Sequence, residues 1–128
     1  MVDTRDIAEV AALQLLRREQ SAGPLPREVI DLVGPDVHTG ESIAGIWSKV
    51  LNRQIQYAGD DVGAFEQQFK TFAPGWLAYD MRLMMNRFHR EGMVAAPTDV
   101  DRLSTQLGRP LRSYQDFAAE TAKHWLKG

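Results

Sequence analysis

The sequence of 128 residues contains no cysteine. That removes disulfides, thiolate catalysis and cysteine-ligated zinc, and it fits a reducing, cytoplasmic setting. No apolar run approaches the roughly 18 residues of a membrane span. The amino-terminal stretch carries Asp3, Asp6 and Glu9 where a signal peptide would have a basic start and an apolar core, so no membrane partner is expected. An excess of positive charge is missing as well: 15 Lys and Arg against 17 Asp and Glu leave a net charge of -2. Nucleic acid is therefore not an expected partner, because phosphate neutralisation needs a basic face.

Several chemical signatures are also lacking. No GxGxxG or GxxGxxG turn is present to cradle a pyrophosphate. No YxxxK pair occurs, since Tyr57, Tyr79 and Tyr114 are followed four residues later by Asp61, Leu83 and Ala118. There is no GxSxG nucleophile turn. His38, His89 and His124 form no HxxxH or HExxH, so a metal would have to gather ligands from separate elements. No catalytic, cofactor-binding or metal-ligating residue is assigned.

What is present suits one globular domain over 1–128, with 44% hydrophobic and 25% charged residues. Residues 4–19 read as a helix capped by Asp3 or Thr4, with Asp6 in its first turn and Arg17 and Arg18 in its last. Ile7, Ala11 and Leu15 share one face, with Ala8, Ala12 and Leu16 beside them. Residues 28–33, bounded by Pro26 and Gly34-Pro35, read as a strand. Thr39 then caps a helix in which Ile43, Ile46, Trp47, Val50 and Leu51 keep helical spacing, and Asn52 ends it in the left-handed conformation. Residues 54–57 alternate as a second short strand, which makes a right-handed parallel βαβ unit over roughly 28–57.

Helical spacing resumes at Asp60, with a stripe of Val62, Phe65, Phe69 and Phe72, and continues after Pro74-Gly75 over 76–90. Thr98 and Ser113 read as caps of two further helices, with Asp101 and Asp116 three residues on, and Gly108 closes the first of them. Tyr114, Phe117, Ala118, Thr121 and Trp125 form the last stripe. The expected class is α+β and mainly helical, with about six helices and a small two-stranded parallel sheet.

Four phrases in this order resemble a known family. They are VDTRDIAEVAA at the start, DLVGPDVHTGESIA at 31–44, VLNRQIQY at 50–57 and LGRPLRSYQDF at 107–117. Together they resemble the carboxy-terminal, substrate-side portion of NmrA-like atypical short-chain dehydrogenases, with Asn52 standing where the family usually has Gly. The resemblance implies a portion that packs beside a nucleotide-binding half and supplies one wall of a substrate cleft. NADP would need that half, so no cofactor is expected for this chain alone. A non-catalytic substrate-binding or interaction domain follows from the resemblance. The alternatives are a small stand-alone isomerase or cyclase and a regulatory protein acting through protein contacts.

The helix over 76–90 carries the candidate sites. Trp76, Tyr79, Met81, Met84, Met85 and Phe88 are a candidate wall for a small apolar ligand, since Met is adaptable and polarisable; core packing is the competing explanation. Arg82, Arg87, His89 and Arg90 are a candidate anion patch, against a solvated helix face. Asp3, Arg5 and Asp6 read as a capping and salt-bridge cluster. Finally, helix 4–19 would leave its apolar face wet without a neighbouring lobe. It is expected to pair with a second copy as a homodimer or to bind a partner protein.

Overall fold

A computed structural model describes residues 1–126. Six helices carry the described chain: α1 (Thr4–Glu19), α2 (Gly40–Val50), α3 (Val62–Phe69), α4 (Gly75–Glu91), α5 (Pro97–Leu107) and α6 (Tyr114–Trp125). No strand occurs among the described residues. The protein is all-α, and the expected α+β class with a βαβ unit at 28–57 is corrected.

The cause lies in what satisfies the backbone. Around 28–33, Arg102 donates to the Val29 carbonyl at 3.3 Å, and Arg17 holds the Glu28 carboxylate at 2.8 Å. Ile30 and Val33 turn into the core. Near 54–57, the Ile55 N–H donates to Ser48 Oγ at 2.9 Å, and that hydroxyl donates to the Ala44 carbonyl at 2.7 Å. Side chains on helices hold both segments, so neither has the ladder partner a strand requires.

Most helix ends follow from local chemistry. Asp3 accepts from the Arg5 N–H at 2.8 Å. Thr39 and Ser42 cap each other reciprocally at 3.2 and 2.9 Å. Asp61 opens α3, and Ser113 opens α6. Asn52 (φ 48°) and Gly108 (φ 66°) occupy the left-handed region after α2 and α5. The expected cap at Thr98 is corrected: α5 opens one residue earlier, on Pro97, with Ala96 at the N-cap and no side-chain cap. Proline supplies the helical φ and has no N–H to satisfy there.

The chain divides into two compact units. The first comprises residues 1–56 with the segment from Ala95 on, and the second Tyr57–Val94. In the first, α1 packs on α5 and α2 on α6. Val10, Leu103 and Leu111 form its core, flanked by Ile30, Val33, Val100 and Leu107. Ala44, Ala118 and Ala122 bury the α2–α6 contact, beside the stacked rings of Trp47 and Trp125, 5.1 Å apart. In the second, α3 and α4 pack together around Ala78, with Glu66 on α3 bridging Arg82 on α4 at 2.7 Å.

Several large apolar side chains stay wet: Leu15, Val29, Val37, Phe72, Trp76 and Met93 are each more than two-thirds exposed.

Candidate functional site

The first and last motifs of the sequence lock together in the first unit. Asp6, on the inner side of α1, is 2% exposed. It accepts from Arg109 Nη2 at 2.8 Å, from the Arg112 N–H at 2.8 Å and from the Arg112 guanidinium. Glu9, one turn on, takes the same two arginines at 2.6 and 2.8 Å. Burial pushes the Asp6 carboxyl up, but the two guanidiniums and the amide outweigh it and hold it below the usual range. Hydrogen bonds from Arg109 and Arg112 hold Glu9 low as well. This cluster fixes the start of α1 against the loop that leads into α6.

Beside it lies an open groove of about 600 Å³, walled by Met1, Val2, Tyr114 and Phe117, with Thr121 and His124 farther along α6. At its rim, Arg5 is held by Asp3 through two hydrogen bonds, Nε at 3.0 Å and Nη2 at 2.7 Å. The Arg5 hydrogen bond is the chief reason the Asp3 carboxyl is lowered to about 2. Arg5 also reaches Glu120 on α6 at 2.9 Å. The amino-terminal wall is set by a close approach. Gly34 is buried, and a Cβ placed there would sit 1.5 Å from the Met1 carbonyl oxygen. The groove wall joins an aromatic row, since Tyr114 accepts from Trp47 Nε1 at 3.0 Å and its ring lies 5.8 Å from that of Phe117.

The face of α1 away from the core carries Ala8, Ala11, Ala12, Leu15 and Leu16, all exposed. Leu15 is 71% exposed and Leu16 56%. Ile7 is half-buried, and Val10, not part of the expected apolar face, is the residue that enters the core. Helix α1 is apolar on two sides, and the ion cluster at Asp6 decides which side goes in.

The candidate ligand wall on α4 is divided between two faces. Met81, Met85 and Phe88 are half-buried on the inner side, whereas Trp76, Tyr79 and Met84 point to solvent. Met85 lines a second open groove, of about 570 Å³, with Tyr57, Phe65 and His89. The candidate anion patch is largely neutralised in place. Arg82 pairs with Glu66 and lies over the Tyr79 ring at 4.9 Å, Arg87 pairs with Glu91 at 2.8 Å, and His89 lies 3.5 Å from Asp60. Arg90 stands exposed beside them. No group of acidic, histidine or cysteine side chains suited to a metal ion occurs among the described residues.

Sequence reasoning missed the groove at α6. It placed Tyr114, Phe117, Ala118, Thr121 and Trp125 in one stripe, yet Ala118 is buried while Phe117 is 42% exposed. The available signal was the pairing of the two arginine-rich and acid-rich phrases at 3–9 and 109–112, which brings the amino terminus beside α6.

No helix among the described residues is long and apolar enough to cross a membrane. No protein-family model, curated protein or solved structure matches the chain.

Proposed function

We propose that this chain is a non-catalytic interaction module, akin to the substrate-side portion of NmrA-like proteins, and that it works by pairing through the outer face of α1. The observation that carries this is the apolar face Ala8, Ala11, Ala12, Leu15 and Leu16, left wet on an otherwise well-anchored helix. Exposed apolar surface of this kind is where association sites form.

The spacing of that face favours a second copy of the chain as its occupant. In an antiparallel two-fold pair of α1 helices centred between Ala11 and Ala12, Ala8 of each copy lies opposite Leu15 of the other. Small then meets large, alanines meet alanines at the crossing, and the helix dipoles oppose. A two-fold contact must be self-complementary in this way.

Sedimentation velocity over a range of concentrations tests the reading. A dimer whose population grows with concentration is expected, and a clean monomer at high concentration would overturn it. Micromolar binding of NADP by the purified chain would overturn the non-catalytic assignment separately.

A further inference from the structure

We propose that the groove between the start of α1 and α6 binds a small, mostly apolar molecule bearing one carboxylate, which takes the place of Glu120 on Arg5. The proposal does not rest on pairing through α1, which uses Ala8–Leu16 and none of the groove-lining residues.

The groove has the size of a ligand site, since such pockets run from roughly 300 to 1,000 Å³, and this one is about 600 Å³. Its walls are Met1, Val2, Tyr114 and Phe117, side chains that suit an apolar body. The polar handle is Arg5. It is presented at a fixed angle because Asp3 grips it through both Nε and Nη2 and also caps the helix through the Arg5 N–H. Asp3 is itself nearly enclosed, with its side chain 5% exposed.

The second partner differs in kind. Glu120 is 54% exposed, meets Arg5 through one contact at 2.9 Å and, among the described residues, has no other ion pair. Exposed pairs of this sort contribute little and exchange readily. A guanidinium already fixed on one side and loosely occupied on the other is a preorganised receptor for a second planar carboxylate. A cationic ligand would face the opposite situation, because it would have to win Glu120 from a rigid arginine.

The decisive feature is that the two ends of the Arg5–Glu120 pair predict opposite effects. Decanoate serves as the probe, with decylamine and decanol as comparators, titrated into the whole chain by calorimetry and by amide chemical shifts of Tyr114, Phe117 and Thr121. Decanoate is expected to bind best. Glu120→Gln, an exposed and isosteric change, is expected to tighten it severalfold by freeing Arg5. Arg5→Gln is expected to weaken it at least tenfold, and Arg5→Lys, which keeps the charge but loses the fork, by an intermediate factor. Tighter binding of decylamine than of decanoate, weaker decanoate binding in Glu120→Gln, or indifference to Arg5→Gln with the circular dichroism unchanged would each overturn the proposal. Repeating the titration in the Leu15→Glu background separates it from the pairing of α1. Decanoate binding kept there, with association lost, supports the groove as an independent site, whereas loss of both in a folded chain would overturn it.

Discussion

Replacing Leu15 by Glu tests the proposed pairing where the argument is most exposed. Leu15 is 71% accessible, which corresponds to roughly 120 Å² of apolar surface, or about 3 kcal/mol per copy if fully covered at about 25 cal/mol per Å². A two-fold pair buries it twice, for about 6 kcal/mol; even half of that is about 3 kcal/mol, or on the order of 100-fold in the dissociation constant. Within one chain the same side chain touches mainly water, and Glu is a good helix former. The unfolding free energy at low concentration is therefore expected to stay within the range of a surface substitution, about 0.5 kcal/mol. Sedimentation velocity should show Leu15→Glu as a monomer where the parent associates. A sharper form uses the reciprocity of the contact: Ala8→Leu and Leu15→Ala should each weaken association, and the double variant should restore much of it, because small again faces large across the two-fold axis. Unchanged association in Leu15→Glu, or strictly additive losses in the double variant, would refute the geometry.

Three further outcomes follow from the first unit. Asp6→Asn should cost about 3 kcal/mol in a denaturant titration, because it leaves two arginines short of a buried acceptor; a change below about 1 kcal/mol would mean that Glu9 suffices alone. Asp3, Asp6 and Glu9 all have carboxyls held below their ordinary values. Their contribution is therefore fully present above the unfolded values near 4 and is lost as pH falls toward about 2, the lowered value of Asp3. Thermal melts followed by circular dichroism should be flat above about pH 5 and drop below about pH 4, and a rise in stability on acidification would contradict the cluster. Gly34→Ala places a Cβ against the Met1 carbonyl and should displace residues 1–2 at a cost of about 1–3 kcal/mol, with weaker decanoate binding; identical amide shifts at Val2 would show that this wall is not where it is described.

The helices were legible because their ends are written locally. Asp3, Thr39, Asn52, Gly108 and Ser113 act through hydrogen bonds or backbone conformations that span a few residues. The strands were not, because an apolar hexapeptide such as 28–33 becomes a strand only if another segment lies beside it. Here Arg102, more than 70 residues away, holds its backbone instead. The inward side of α1 was illegible for a similar reason: periodicity offered Ile7, Ala11 and Leu15, and the choice of Val10 came from Asp6 meeting Arg109 and Arg112. On α4, the Met and aromatic residues formed a set only in composition. They go around the helix, and a pocket needs them on one side. The groove at α6 depends on residues 1–5 and 112–124 meeting, which no local pattern encodes.

The distance along the chain between Asp6 and Arg112, 106 residues, also sets a timetable for synthesis. At roughly 5–20 residues per second, α1 leaves the ribosome several seconds before its principal anchors, α5 and the arginine loop, exist. Throughout that interval both of its apolar sides are wet, the side meant for Val10's core and the side that carries Leu15. The second unit, which is continuous in sequence, is complete before then. The nascent chain thus carries an unfinished amphiphile, and the newborn α1 is the segment on which chaperones, or premature pairing between neighbouring chains on one messenger, would act.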